Sequence, residues 1–423
     1  MIALMLGSTG QPVQVLQLAL SRAGMYDGIL DGVFGTETLD AVRHFQSISG
    51  ISTGGVVARL TWQKLLPYLK GYRTATLSAG NTLWSIAKQY GTSLAAVITA
   101  NPTLEPMNIP SGTTIVIPMS FPLVPTNIQY SWELTSYIVE GLTIRYPFIK
   151  LETPGDSVMG HGLYSLVIGS GSRKVFANAS HHANEWITTP MLLKFIEDYA
   201  QAYSMGRSMG GISAAQLYEY DTLYAMPMVN PDGVDLVTGV ISDGPYYRTA
   251  LAYSADYSNI PFPGGWKANI RGVDLNLQYP AGWDIAKEIK FIDGYVSPGP
   301  RDYVGPSALS EPESRAVYNY TNKNLFDISV SFHTQGSVIY WKYLDMEPPG
   351  AAVIGNRMSI ASGYILEDTP FISGHAGYKD WFIQQFNKPG YTPEMGLGES
   401  PLPLSQFDEI YTAGKAILIE AMK

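Results

Sequence analysis

The sequence predicts a chain in three parts, the largest of them an α/β domain. Three observations carry this. Residues 128–423 alternate apolar runs (SLVIG, KVFANA, TLYAMPMV, ISVSFH) with helical stretches such as WITTPMLLKFIEDYA. That is the grammar of a parallel or mixed sheet layered with helices, with functional residues at the carboxyl ends of strands. Residues 1–70 show helical periodicity alone, and residues 72–118 run strand, helix, helix, strand. Between the parts, residues 119–127 (MSFPLVPTN) hold two prolines and read as a stiff linker. A length of 423 residues suits two to four domains.

Each element has a local reason. In VQVLQLALSRAG, Val13, Leu16 and Leu20 share one helical face, which Gly24 stops. The Asp-Gly pairs of MYDGILDGVFG mark tight turns. Thr36 is expected to cap a second helix carrying Leu39, Val42 and Phe45, and a third helix runs near TWQKLLPYL. In the next part, Asn81 is expected to begin a helix with Leu83, Trp84, Ile86 and Ala87 inward, ended by Gly91. Ser93 caps a second helix, Asn101-Pro102 closes it, and TTIVIP is a short strand.

Composition narrows the function. Apolar residues make up 46% and charged residues 15%, which supports a packed core. There are 27 basic and 36 acidic residues, a net charge of −9, and no basic stripe. Nucleic acid is therefore a poor partner, and attraction to anionic membranes or wall polymers does not drive binding. The absence of cysteine rules out disulfides and thiolate chemistry. The first residues lack the basic n-region of a secretory signal, and no apolar stretch is long enough for a membrane span.

The stretch SHHANEWITTP places His182 and Glu185 three positions apart, after the buried-strand run KVFANA. One helical turn puts imidazole and carboxylate on the same side. Zinc binds both, and catalytic zinc sites use three protein ligands plus water. A polar turn capping a helix explains the pair equally well. His333 ends a second apolar run, ISVSFH, where a third ligand would sit. Alone it would read as a core histidine.

Longer strings resemble known families. LQLAL, YDGILDGVFGTETLDAVRHFQ and TWQKL resemble the three-helix peptidoglycan-binding domain of cell-wall hydrolases. GNTLWSIAKQYG, ITANP and IPSGTTIVIP resemble a βααβ LysM module. That resemblance implies a groove for N-acetylglucosamine-containing glycan, formed by Gly80, Asn81, Thr82 and Leu83 with Asn108, Ile109 and Pro110. HHANEW, NPDGVDL, RGVDLN, SFHTQG and YTPEMG, in this order, resemble the zinc carboxypeptidase family over about 290 residues. This implies a mixed eight-stranded sheet flanked by helices, with one zinc per chain held by His182, Glu185 and His333. It further implies Glu394 as the catalytic carboxylate, Arg271 as the cation that polarises the scissile carbonyl, and Asn276 as a holder of a substrate carboxylate. His375 and Tyr378 are two candidates for the place of the family's mobile tyrosine.

The departures from that family matter. Asn184 and Leu277 stand where its digestive members carry arginine, and the second of those arginines clamps a free α-carboxylate. HHANEWITTP and WKANIRGVDLNLQYPAGW, with the module order, resemble γ-D-glutamyl-L-diamino acid endopeptidases. These cut stem peptides of peptidoglycan between γ-D-glutamate and meso-diaminopimelate or lysine. Two alternatives stand beside this: a carboxypeptidase trimming the same peptide, and a wall-binding protein without activity. The expected place of action is the cell wall, reached from the cytoplasm of a sporulating cell or within the spore if no export signal operates.

Overall fold

The computed structural model describes residues 2–105 and 109–423. They form two compact units, one of residues 2–129 with 133–150 and the other of residues 130–132 with 151–423.

The first unit opens with three helices, α1 (Gln11–Arg22), α2 (Thr36–Ile48) and α3 (Arg59–Lys70). Leu16, Leu20, Val42, Phe45 and Leu65 fill the space between them. Gln17 is fully buried and pins the turn before α2: its amide donates to Asp31 Oδ1 (2.8 Å) and accepts from the Gly32 N–H (2.9 Å). Gly35, not Thr36, is the N-cap of α2, and Thr36 is its first residue. Next come β1 (Tyr72–Thr76), α4 (Leu83–Gln89), α5 (Leu94–Ala100) and β2 (Thr114–Pro118), with β1 and β2 antiparallel. The N-cap of α4 is Thr82, whose hydroxyl accepts from the Ser85 N–H; Asn81 instead ties the preceding turn by accepting from Ser78. Leu83, Ile86 and Ala87 face the core, and Trp84 does not. It lies about 100° around the helix from Leu83 and is 61% exposed, with Lys88 over its ring. The proline-bearing segment 119–127 is held down: Arg22 donates to the carbonyls of Pro122 and Leu123, and Arg145 to that of Phe121. Helix α6 (Trp132–Arg145) follows it. Gly141 lets α6 approach the end of α3, where a Cβ would lie 2.1 Å from the Lys70 carbonyl oxygen.

The second unit is built on β3 (Lys150–Asp156), β4 (Gly162–Gly169) and β5 (Arg173–Ala179), then α7 (Thr188–Ser204). A small hairpin, β6 (Ser208–Met209) and β7 (Ile212–Ser213), leads through α8 (Ala214–Tyr220) to β8 (Asp221–Met226), α9 (Pro231–Val237), α10 (Gly244–Ser254) and α11 (Trp283–Ile292). Then come α12 (Pro312–Asn324), β9 (Ile328–Phe332), β10 (Val338–Tyr340), α13 (Ala351–Ser362), β11 (Ile365–Glu367), α14 (Tyr378–Phe386), β12 (Gly390–Glu394) and α15 (Phe407–Ala421). One mixed eight-stranded sheet runs in the order β11-β10-β12-β9-β5-β8-β4-β3. Its centre, β12-β9-β5-β8, is parallel. These strands are buried on both faces, so they read as continuous runs rather than alternating ones. Helices α12 and α14 cover one face through Tyr320, Tyr378, Trp381 and Phe382, packed on Phe176 of β5. Helices α7 and α15 cover the other, meeting at Met191 and Gly414.

Candidate active site

The candidate residues meet because three adjacent parallel strands end at one edge. Ala179 of β5 pairs with Phe332 of β9, so His182 and His333 leave the sheet side by side. His333 in turn bridges to Glu394 at the end of β12. Residues Ala183–Glu185 form a 3-10 turn rather than the first turn of an α-helix. In that geometry side chains three apart eclipse one another, which aligns His182 and Glu185. The turn is braced: Thr188 Oγ1 donates to the Glu185 carbonyl, and Ser180 N–H donates to Thr188 Oγ1. Asn230, the N-cap of α9, donates to the carbonyls of His181 and Ala268 and so ties the strand end to the segment carrying Lys267.

Ligand atoms of His182, Glu185 and His333 lie within 4.8 Å of one another, and all three residues are buried. His333 Nδ1 is 3.0 Å from His182 Nδ1 and 2.9 Å from Glu185 Oε2, while His182 Nδ1 is 2.9 Å from Glu185 Oε1. Two ring nitrogens and a carboxylate converging on one point are a donor set for a divalent transition metal. The field there favours a cation. Burial would lower the His182 pKa, yet Glu185 and Asp274 push it up to about 9. Burial lowers that of His333.

Asp274 completes the site. Its Oδ1 is 3.0 Å from His182 Nε2, which orients the ring with Nδ1 toward the other donors. Burial would raise its pKa, but His182 and Lys267 hold it well below the usual carboxylate range. RGVDLN carried this residue in plain view, and its acid two positions before Asn276 was the available signal.

The cation facing the site is Lys267, not Arg271. Lys267 lines the cleft with its Nζ 3.5 Å from Glu185 Oε1, and its carbonyl accepts from the Ala183 N–H. Arg271 is half exposed and reaches Glu311 (3.6 Å); it is not among the described residues that line the cleft. Nothing in the spacing of WKANIR distinguishes the two cations. Their placement does so, Lys267 Nζ against Glu185 and Arg271 against Glu311.

Glu394 lines the cleft, and burial together with the Glu185 charge pushes its pKa up to about 8. Asn276 lines it too, with Oδ1 accepting from the Tyr378 N–H. The Tyr378 ring is fully buried under the sheet, its hydroxyl bonded to Thr321, so it is fixed core and not a mobile side chain. His375 is also buried, and neither ring nitrogen has a hydrogen-bond partner among the described residues. Neither residue belongs to the cleft wall; Tyr340 does. His181 donates to or accepts from Tyr279 behind the site. Of the glycan-groove residues, Leu83 is buried, Gly80 adopts a positive φ, Ile109 packs on the small core and the Pro110 carbonyl accepts from Thr113. Asn108 lies outside the described residues.

Comparison with known proteins agrees with this geometry. The zinc carboxypeptidase model matches residues 136–414, a peptidoglycan binding domain model residues 9–65 and a LysM domain model residues 76–118. Gamma-D-glutamyl-L-diamino acid endopeptidase 1 of Lysinibacillus sphaericus is 39% identical over 305 residues, 72% of this chain and 75% of that protein. Protein YqgT of Bacillus subtilis is 40% identical over 279 residues, 66% of this chain and 73% of that protein. Bovine thrombin-activatable fibrinolysis inhibitor shares the fold at a TM-score of 0.53 and 19% identity, covering 70% of this chain and 96% of that one. With its sheet, its strand-end ligand set and two thirds of its length matched, the chain belongs to the zinc carboxypeptidase family.

Proposed function

We propose that the chain is a zinc peptidase that hydrolyses the bond between γ-D-glutamate and meso-diaminopimelate (or lysine) in peptidoglycan stem peptides. Three features support the reading: the His182, Glu185 and His333 set beside Glu394, the two wall-binding modules, and the name of the Lysinibacillus relative. The observation that carries it is the convergence of the three donors at one strand edge.

His182 Nδ1, His333 Nδ1 and the Glu185 carboxylate would hold one zinc ion. When bound, it supplies Lewis acidity that brings the ionisation of water from about 15.7 to near 7. Glu394 takes a proton from the attacking water, whose oxygen bonds to the γ-carbonyl carbon of D-glutamate. Lys267 faces the oxygen that gains negative charge; one such donor contributes roughly 3 kcal/mol. Glu394 then returns the proton to the amide nitrogen, the C–N bond breaks, and a γ-carboxylate and a free amine leave. A carboxylate in hydrogen-bond reach of the attacking water can serve first as base and then as acid. Leu277 gives no clamp for a terminal carboxylate, which favours cutting within the peptide over trimming its end.

We read residues 1–70 and 72–118 as the modules that hold the enzyme on the wall, with the catalytic part from 128 onward. The site of action is then the cell wall, including that of sporulating cells. Among the described residues no helix is long and apolar enough to cross a membrane. The test is digestion of the tetrapeptide L-Ala-γ-D-Glu-meso-diaminopimelate-D-Ala, with and without a chelator, followed by mass spectrometry. A released L-Ala-D-Glu dipeptide, lost on chelation, is expected. Release of D-Ala alone means a carboxypeptidase, and no product from either arm means a wall-binding protein.

A further inference from the structure

Asp274 braces one of the two histidines in the ligand set, taking Nε2 of His182 at 3.0 Å. The matching atom of the other histidine, His333 Nε2, is buried and has no hydrogen-bond partner among the described residues. His333 Nδ1 faces His182 and Glu185. A neutral imidazole that offers Nδ1 to an ion carries its proton on Nε2, so this atom is a buried N–H. Leaving such a donor unpaired is costly. A ligating histidine ordinarily gives it to a carboxylate, a carbonyl or a water.

Two buried acceptors flank it. The first belongs to His181, whose ring lies beside that of His333 with centroids 5.8 Å apart and planes 22° from parallel. His181 Nε2 is 3.0 Å from the Tyr279 hydroxyl, and its Nδ1 has no partner among the described residues. The protons of this chain can be placed one by one. The Leu275 carbonyl can only accept, so Ser314 Oγ donates to it (3.1 Å). Ser314 is also hydrogen-bonded to Tyr279, so its oxygen accepts the Tyr279 O–H. The Tyr279 oxygen then accepts from His181 Nε2–H, which leaves His181 Nδ1 as a bare acceptor. The second acceptor is Asn178 Oδ1, fully buried and also unpartnered among the described residues. Asn178 Nδ2 donates to Ser331 Oγ (3.0 Å) across the β5–β9 pair. Ser331 stands two residues before His333 and shares its face of the strand. One donor and two acceptors thus lie together without a direct bond between them. A single water accepts from the one and donates to the others, and three bonds are typical of a buried water.

We propose that His181 is a positioning residue for His333: with Asn178 it holds one buried water against the His333 Nε2–H and so keeps Nδ1 aimed at the ion. This rests on the zinc reading proposed above. It gives each histidine of the SHHANEW stretch its own task, His182 as a ligand and His181 as the brace of the other ligand. The two braces differ in kind. An anion, Asp274, orients His182, whereas a neutral chain ending on the Leu275 carbonyl orients His333.

The test measures zinc affinity of the full chain in competition with a chromophoric chelator, together with the visible spectrum of the cobalt-substituted protein. The spectrum follows ligand geometry, which a loss of packing alone would not move. His181→Leu removes the acceptor and should bind zinc about 10-fold more weakly, with shifted cobalt bands. His181→Asn carries an oxygen near the place of Nδ1 and should restore the wild-type bands and an affinity within about threefold of wild type. Asn178→Ala should weaken binding in the same direction as His181→Leu. A His181→Leu protein with unchanged bands and an affinity within about twofold of wild type, or a His181→Asn protein that binds as weakly as His181→Leu, would overturn the inference and leave the zinc reading standing. Should His181→Leu not fold, Asn178→Ala beside the wild type decides in the same way. A wild type that binds no zinc removes the zinc reading, and this inference with it.

Discussion

Asp274 Oδ1 lies 3.0 Å from His182 Nε2, on the side of the ring opposite the nitrogen that faces Glu185 and His333. The contact fixes which nitrogen can bind an ion and raises its basicity. Removing a partner of this kind lowers metal affinity by about 10- to 100-fold. Asp274→Asn should therefore bind zinc 10- to 100-fold more weakly in competition with a chromophoric chelator. An unchanged affinity would mean that Asp274 does not set the ring.

Lys267 and Arg271 make opposite predictions. Lys267→Ala should lower kcat by about 10²- to 10³-fold with KM little changed, because its charge is needed where negative charge develops. Lys267→Arg should recover part of the loss. Arg271→Ala removes only a half-exposed ion pair with Glu311 and should keep kcat within twofold. Steady-state kinetics on the tetrapeptide distinguishes the two.

Tyr378 tests whether a tyrosine moves in this site. Its hydroxyl is bonded to Thr321 (2.9 Å) beneath a fully buried ring. Tyr378→Phe should leave kcat and KM within twofold and destabilise the fold by about 1 kcal/mol, read as a lower denaturation midpoint. A large fall in kcat would return the residue to the reaction.

Glu313 predicts how stability varies with pH. Burial, with Asp232 and Glu311 nearby, pushes its carboxyl up to about 7 from 4.5. The folded state therefore holds the proton more tightly than the unfolded chain does. That contribution is fully present below about pH 4.5 and is lost as pH rises through 7. The loss is on the order of 3 kcal/mol. Glu313→Gln cannot ionise, so its melting temperature should fall less between pH 5 and 8 than that of the wild type. Parallel melting curves over that range check this.

Much of this was legible in the residues. KVFANA and ISVSFH announced buried parallel strands, and the histidine at each end announced a shared edge, because parallel neighbours in register end together. The three-helix and βααβ parts followed from periodicity and turn residues. What escaped the sequence depended on direction and on contacts made elsewhere. Trp84 sits among core residues in the string but one helical step off their face. Tyr378 and His375 were indistinguishable as letters; both side chains are buried off the cleft wall, Tyr378 beneath the sheet and His375 against Phe371 and Tyr343. Lys267 and Arg271 were separated by where their side chains lie, against Glu185 and against Glu311, which no spacing encodes.

That His182, Glu185 and His333 hold one ion beside a carboxylate that moves protons is the proposal on which the chemistry depends. It is tested most directly by zinc content and turnover of Glu394→Gln beside the wild type, both reconstituted after chelation. One zinc per chain is expected in each, with kcat of the variant lower by about 10²- to 10⁴-fold. A variant that still turns over normally, or a wild type that is fully active with no bound metal, would contradict it.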